Sequence, residues 1–261
     1  MYEIFIKQTA KTRRRCFVKK SFYIHAAKVK RVLTLKNSNL TNMTEMIITA
    51  DGSHTLFVPE LEEHYHSING AMQESLHIFI NNGFETSAAN PVNIMEIGFG
   101  AGLNAFLTAI KAEEQNRKVF YTTIEKYPLP KTITDALNYE TQHGNNSGLL
   151  KQIHNAPWNC YCEITQYFTI RKIEADATKT IPEGKYDIIY FDAFAPNKQP
   201  EMWTKEMFEK ISASTLKSGV FVTYSAKGEV KRNLTSCGFN VELLHGPTGK
   251  RHIIRAVKKD N

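Results

Sequence analysis

The hydrophobic and polar positions follow two alternating patterns along most of the chain. Short continuous runs of apolar and β-branched residues are typical of strands buried on both faces of a sheet, and they cover residues 92–97, 118–124, 186–191 and 220–224. Apolar residues at helical spacing follow these runs, and they predict helices from Leu103 and over 204–216 and 227–237. Strands that alternate with helices predict an α/β fold with a mostly parallel, doubly wound sheet.

The two ends of this pattern depart from simple alternation. Two short β-like runs around Asp51-Gly52 predict a hairpin, and apolar spacing predicts a helix over 68–80 after it. Near the other end, 239–244 and 252–257 predict a pair of antiparallel strands.

The pattern is weaker between the second and third buried runs. Residues 139–160 are interpreted as irregular chain, because Gly, Asn and Ser cluster at 144–148. Residues 163–174 are interpreted as a single extended segment.

The first buried strand leads into a glycine-rich turn. Its pattern is E-x-G-x-G-x-G, formed by Glu96, Gly98, Gly100 and Gly102. Glycine permits a positive φ and the close approach of a ligand, and ligands of such sheets bind at the carboxyl ends of the strands. A dinucleotide turn instead has the spacing G-x-G-x-x-G and binds a pyrophosphate, which a carboxylate at position 96 would repel. The turn therefore favours a cationic nucleoside without phosphate, and a structural or NAD-binding turn is the alternative.

Acidic residues end three further predicted strands. Glu125 follows 118–124, where its carboxylate can accept hydrogen bonds from both hydroxyls of a ribose. Asp176 follows the extended segment, and in this fold an acid there can bind an adenine amino group. Asp192 follows 186–191 and is the candidate for acid–base work. The alternative for each is a solvated acid or a loop cap.

Several segments of the chain resemble one enzyme family. The turn EIGFGAGLN is similar to the first motif of class I S-adenosylmethionine-dependent methyltransferases. More specifically, the chain resembles the methyltransferase domain of MnmC and its stand-alone MnmD-type relatives, in the segments DGSHTLFVPELEEHYHSINGAMQES, FDAFAPNKQPEMW, TYSAKGEVKRNL and GPTGKR. This resemblance implies a Rossmann-like class I methyltransferase sheet with an antiparallel terminal hairpin and an N-terminal β-hairpin/helix elaboration.

The same resemblance implies a reaction and its partners. S-adenosylmethionine would be the methyl donor, and the acceptor would be the amine of 5-aminomethyl-(2-thio)uridine at the tRNA wobble position. Bifunctional relatives carry a further FAD-dependent oxidase domain, for which the chain leaves no room after Val257, so no FAD is expected. We expect tRNA as partner, no membrane association, no obligate protein partner and a cytoplasmic location.

The resemblance also assigns site residues by position. The predicted cofactor-binding residues are Glu96, Gly98, Gly100, Gly102, Glu125 and Asp176. An alkylammonium must lose a proton before it attacks a methyl group, and Asp192 is predicted to orient the amine and to accept that proton directly or through water. Glu74, from the NGAMQES segment, is predicted to line the same site.

Aromatic and basic residues complete the predicted substrate site. Phe194 and Trp203 can form a wall for the uracil ring, because proteins commonly stack splayed RNA bases on aromatic side chains. Packing of Trp203 against the following helix is the equal alternative. Lys250 and Arg251 are predicted to contact tRNA phosphates.

The charge distribution divides the chain into two parts. Residues 1–42 carry eleven Lys and Arg and one acid, whereas residues 43–261 carry 22 basic and 25 acidic residues, a net charge of −3. We interpret 1–42 as a basic extension, disordered or a mis-assigned start, and 43–261 as the methyltransferase domain. The net charge of +7 is therefore no argument that the domain binds nucleic acid.

Two other functions stay open at this point. A small-molecule amine N-methyltransferase or an aminopropyltransferase would use the same fold and an acid-lined amine pocket, and a non-catalytic RNA-binding protein could retain the fold. No metal is predicted, because the spacings of the four cysteines and of His54, His64, His66 and His77 match no usual zinc site.

Overall fold

The structure is a computed structural model that describes residues 30–36, 43–144 and 147–260, with only the backbone for 30–36 and 43. The prediction for the basic extension therefore lies mostly outside the described residues. Of that extension the structure describes one strand, which pairs antiparallel with the strand at Met43–Ile48.

Two sheets contain the strands of the described residues. A four-stranded antiparallel sheet has the order β1-β2-β3-β4, and an eight-stranded mixed sheet has the order β11-β12-β10-β9-β5-β6-β8-β7. The strands are β1 (Lys30–Lys36), β2 (Met43–Ile48), β3 (His54–Val58), β4 (Glu63–His64), β5 (Val92–Ile97), β6 (Val119–Glu125), β7 (Tyr161–Thr165), β8 (Phe168–Glu174), β9 (Tyr186–Phe191), β10 (Thr215–Thr223), β11 (Phe239–His245) and β12 (His252–Lys258).

Helices connect the strands of the large sheet. They are α1 (Ala71–Ser75), α2 (Leu103–Gln115), α3 (Lys131–Thr134), α4 (Tyr139–His143), α5 (Leu149–Asn155), α6 (Lys205–Ser214) and α7 (Gly228–Ser236). Helix α1 continues as a wider π-helical segment, Leu76–Asn81, and short 3₁₀ turns occupy Phe84–Thr86 and Pro200–Trp203.

The middle of the large sheet is parallel. Strands β8, β6, β5, β9 and β10 pair in parallel, and β12 pairs antiparallel with both β10 and β11. This confirms the predicted doubly wound sheet and its antiparallel terminal pair.

The core lies on both faces of the large sheet. Neighbouring residues of β5 point to opposite faces, so that Ile94 packs in the cluster that contains Phe106 of α2, and Met95 packs with Phe208 of α6. In the described part of the chain, no helix is long and apolar enough to cross a membrane.

The predicted N-terminal hairpin is confirmed, and its turn holds helix α1 in place. Strands β2 and β3 pair antiparallel with Ile48 opposite His54. Asp51 Oδ2 in the turn accepts a hydrogen bond from the Gln73 amide at 3.0 Å, and Ser53 Oγ accepts one from the Met72 amide at 3.2 Å. These bonds satisfy amides that the first turn of a helix leaves without partners. The hairpin therefore fixes where the side chains of α1 point.

The local predictions were wrong in three places. Residues 139–160 contain α4 and α5 because apolar residues of α5, such as Leu150 and Ile153, pack against α2 and the sheet. The segment 163–174 is split into β7 and β8, which turn back on each other as a hairpin at residues 166–167. The helix predicted to end at 216 ends at Ser214, and β10 begins at once.

Candidate active site

The carboxyl ends of the parallel strands border a cavity of about 600 Å³. The small sheet and the chain that follows it close the other side, through residues such as Tyr65 and Asn69. The predicted site residues in its wall are Glu74, Gly98, Gly100, Glu125, Asp176, Asp192, Phe194 and Lys250. The topology therefore gathers residues from across the chain at the edge where ligands of open α/β sheets bind.

The glycine turn begins the floor of this cavity. Gly98 has φ +91°, and a Cβ at this position would lie 2.6 Å from the carbonyl oxygen of Asp192. A side chain here would meet backbone and adopt an unfavourable conformation, so glycine is required for the turn to pass this close to β9. The Gly100 amide then donates a hydrogen bond to Glu125 Oε2 at 3.0 Å.

Glu125 is held by the backbone on both sides. Besides the amide of Gly100, the Tyr127 amide donates to its Oε1 at 2.9 Å. Two amide donors fix the carboxylate at the end of β6, and each oxygen keeps a further lone pair for another donor. This arrangement suits the hydrogen-bonding of two neighbouring hydroxyl groups, as in a ribose.

Asp176 lies at the same end of the cavity and is ionised. Thr178 donates to its Oδ1 from the hydroxyl at 2.6 Å and from the amide at 3.0 Å, and Lys126 Nζ lies 3.0 Å from Oδ2. The hydrogen bonds from Thr178 and Lys126 lower the pKa of Asp176 to about 2. It can accept a hydrogen bond from an amino group at any physiological pH.

Asp192 lies in a very different environment at the end of β9. Burial raises its pKa to about 7, and the negative charge of Glu74 adds to this effect. Asn104 Nδ2 donates to Asp192 Oδ2 at 2.9 Å, which partly offsets the rise. Asp192 can therefore exchange a proton near neutral pH, which a general base requires.

Glu96 lies behind Asp192 and is fully buried. Its Oε2 accepts a hydrogen bond from Thr123 Oγ1 at 2.8 Å, and its Oε1 accepts one from Asn104 Nδ2 at 3.1 Å. Burial raises the pKa of Glu96 to about 8, with a further contribution from Asp192. The carboxyl group is therefore largely protonated at pH 7.

Asn104 joins the two acids, and the sequence reasoning missed it. The two protons of its amide nitrogen go to Glu96 and Asp192, and its Oδ1 accepts from the Ser75 hydroxyl. It is a buried polar residue at the start of α2 between apolar neighbours. Polarity at a position that helical spacing predicts as core was the available signal.

Glu74 and Lys250 form an ion pair in the wall of the cavity. Ser67 donates its amide proton to Glu74 Oε2 at 2.7 Å, and Lys250 Nζ lies 3.2 Å from Glu74 Oε1. The Lys250 ammonium also lies 4.6 Å from the centroid of the Tyr224 ring. The Tyr224 hydroxyl donates to the carbonyl of Ala193 at 2.9 Å, so the ring is held at the end of β10.

Comparisons with known proteins identify the family. A family model described as S-adenosyl-L-methionine-dependent methyltransferase matches residues 140–259. The chain is 30% identical over 214 residues to the tRNA 5-methylaminomethyl-2-thiouridine biosynthesis bifunctional protein MnmC of Marinomonas sp., and 29% identical over 213 residues to that of Campylobacter hominis. These alignments cover 74% and 79% of this chain. The crystal structure of MNMC2 from Aquifex aeolicus matches with a TM-score of 0.67 at 25% identity, covering 83% of this chain and 70% of that one.

The chain belongs to the MnmC methyltransferase-domain family. It spans about one third of the length of the two curated MnmC relatives, 31% and 32%. Spermidine synthase from Thermotoga maritima also matches, with a TM-score of 0.58 over 88% of this chain and 74% of that one. At 12% identity this match shows the fold alone. The class I S-adenosylmethionine-dependent methyltransferase fold predicted from the sequence is thereby confirmed.

Within this MnmC-type domain, four predicted site residues lie outside the cavity wall. Glu96 lies behind Asp192, as described above. The ring of Trp203 is 4% exposed, packs 5.0 Å from that of Phe191 and donates from Nε1 to the Phe194 carbonyl at 2.8 Å. It is therefore a core residue that supports the loop after β9. Gly102 caps helix α2 against the rings of Phe99 and His154, and Arg251 is exposed next to Lys250.

Aromatic residues that the sequence did not single out lie in the wall of the MnmC-type cavity. Tyr65 follows β4, and its ring contacts that of Phe194 edge-to-face with 5.3 Å between centroids. Tyr224 lies on the opposite side next to Lys250. Their signal was weak because each aromatic residue directly follows a strand and resembles an ordinary core position.

Proposed function

We propose that the protein transfers a methyl group from S-adenosylmethionine to the amine of 5-aminomethyl-(2-thio)uridine at the wobble position of tRNA. The observation that carries this proposal is a single cavity with an ionised acid, Asp176, at one end and a buried acid, Asp192, whose pKa is raised to about 7, at the other. The names of the MnmC relatives supply the substrate class, tRNA 5-methylaminomethyl-2-thiouridine.

The residues at the first end fit the methyl donor. Glu125 keeps free lone pairs for ribose hydroxyls, Asp176 can accept from the adenine amino group, and Gly98 leaves the floor free of a side chain. A carboxylate-rich wall also favours a sulfonium cation over a pyrophosphate. When bound, S-adenosylmethionine supplies an electrophilic methyl group.

The residues at the second end fit an amine acceptor. Glu74 and Asp192 attract an alkylammonium ion, and Asp192 can accept its proton because its pKa is raised to about 7. The negative charges also stabilise the ammonium form, so the pocket contributes mainly by holding the nitrogen in line for attack. Phe194 and Tyr65 offer ring surfaces for a flat base.

The test is methyl transfer from labelled S-adenosylmethionine to tRNA from cells that lack this activity, followed by nucleoside analysis. We expect 5-methylaminomethyl nucleoside with the wild type and almost none with Asp192→Asn. The matched control is Asp187→Asn, on the same strand, where the carboxylate accepts from the amide of Asn93 at 2.8 Å. That variant should retain activity.

Each of three other results would support a different function. Labelled small amines with unlabelled tRNA would contradict the tRNA substrate and favour a small-molecule amine methyltransferase. Transfer of an aminopropyl group from the decarboxylated donor would favour the aminopropyltransferase alternative. A protein that binds tRNA but neither donor would be a non-catalytic relative.

A further inference from the structure

Glu74 presents a buried carboxylate oxygen to the cavity. Its side chain is only 8% exposed, and its Oε2 is satisfied by the Ser67 amide. Its Oε1 is buried and makes no well-aligned hydrogen bond among the described residues, so the charge of Lys250 at 3.2 Å is its principal compensation. A buried carboxylate oxygen without an aligned hydrogen bond is costly, and it favours binding of a cation.

The Lys250 ammonium lies in a pocket for an alkylammonium ion. It contacts a carboxylate on one side, Glu74, and the face of an aromatic ring on the other, Tyr224 at 4.6 Å. Asp192 is close enough for the Lys250 charge to lower its pKa. A carboxylate and an aromatic face together are the chemistry that recognises a protonated amine on a methylene carbon.

We infer that Lys250 occupies the subsite of the acceptor's amine and must leave before the acceptor can bind. This inference rests on the proposed function, because the acceptor there is a primary amine on a methylene carbon, as is the end of a lysine side chain. Two ammonium ions cannot share one carboxylate oxygen without strong repulsion. Lys250 is thus an internal competitor of the substrate.

The position of Lys250 allows its side chain to leave Glu74 and to reach the mouth of the cavity. It lies in the loop between β11 and β12, its side chain is 30% exposed, and Arg251 next to it is exposed. A lysine stem is long and flexible enough to exchange Glu74 for an RNA phosphate at the mouth of the cavity. A polynucleotide therefore compensates the displaced charge, whereas a free amine or nucleoside does not. The exchange favours tRNA over small amines.

The direct test measures the binding of a small amine to the subsite in the absence of RNA. Propylammonium is the probe, and its binding to the donor-bound protein is followed by thermal shift in wild type and Lys250→Met. If Lys250 fills the subsite about nine-tenths of the time, its removal tightens probe binding about tenfold. Lys217→Met removes an exposed lysine from β10 and should leave probe binding unchanged. Glu74→Gln should abolish probe binding in the Lys250→Met background.

A second measurement, of tRNA methylation, should change in the opposite direction from probe binding. For tRNA methylation, Lys250→Met should raise KM by about threefold to tenfold, because the lost phosphate contact outweighs the relief of competition at the Glu74 carboxylate. Probe binding no tighter in Lys250→Met than in wild type would overturn the inference, even if tRNA is methylated. Tighter probe binding with no tRNA methylation would uphold the subsite and contradict the proposed function.

Discussion

The two ends of the cavity shift the pKa of an aspartate side chain in opposite directions. Asp176 receives three hydrogen-bond or ionic contacts, from Thr178 and Lys126, and its pKa falls to about 2. Asp192 receives one contact, from Asn104, and burial raises its pKa to about 7. The first end therefore holds a fixed negative charge, and the second holds a group that gains and loses a proton.

Position in the sheet explains the difference. β8 has only β7 beyond it, so the loop that carries Asp176 is reached by solvent and by Lys126 from the loop after β6. β9 lies between β5 and β10 in the middle of the sheet, and α1 covers its end with Glu74. The half of the sheet toward β7 thus holds the fixed negative charge, and the central strand β9 holds the acid that exchanges a proton.

The largest expected effect comes from removing the proton-exchanging acid. Asp192→Asn should keep the hydrogen bond to Asn104 after an amide flip but lose the charge, and methyl transfer should fall by about 10²- to 10⁴-fold. Donor binding should remain within about threefold of wild type. Single-turnover rates and equilibrium dialysis of the donor separate the two quantities. Equal losses in both would mean that the two ends are not distinct.

The next largest effect is on the free energy of unfolding. It tests the raised pKa of a carboxyl group at the buried end of the cavity. Glu96 in the folded protein holds its proton up to about pH 8, against an ordinary value of 4.5. The folded state therefore binds more protons than the unfolded state in this range, and the free energy of unfolding falls as pH rises from about 4.5 to 8. Glu96→Gln mimics the protonated acid and should reduce this fall by about 2 kcal/mol or more. Urea unfolding at pH 5 and pH 8 measures it, and an unchanged slope would contradict the buried acid.

A smaller effect is expected at the end of the cavity that we propose binds the donor. Glu125→Ala removes the acceptor of two amides and the candidate partner of the ribose hydroxyls, and donor affinity should fall by about tenfold or more. Glu174→Ala changes an exposed acid that lies opposite Glu125 in the neighbouring strand and serves as the control. Calorimetric titration with the donor measures both. The pH dependence of turnover should stay that of the wild type, because Asp192 is untouched.

The smallest effect concerns Asp176. Because its folded-state pKa is lowered, its contribution to stability is present above its ordinary value of 3.8 and is lost as pH falls toward about 2. Lys126 is largely exposed, so Asp176→Asn should reduce stability at pH 7 by at most about 1 kcal/mol. Thermal unfolding at pH 7 and pH 2.5 should show a clearly smaller difference at the second pH. A difference that is equally large at pH 2.5 would indicate a role beyond the charge.

Sequence patterns predicted those parts of the site that depend on local chain order. Glu125 and Asp192 could be found because each directly follows a buried strand, and parallel strands end at one edge. Asn104 and Tyr65 were missed, because their roles depend on contacts with distant elements. Trp203 has the composition of a base-stacking residue, but its neighbours in space make it a core residue. The hairpin of β7 and β8 was missed because Gln166 and Tyr167 are not typical turn residues.

The insertion of β12 between β10 and β11 has a consequence for how the protein is made on the ribosome. The edge of β10 stays open until β12 has been synthesised, and an open edge can pair with another chain. The end of the cavity that is built by β5, β6 and β8 can assemble earlier than the loop that carries Lys250. Premature termination before residue 252 should therefore yield a chain that has its glycine turn at 98–102 but aggregates through the unpaired edge of β10.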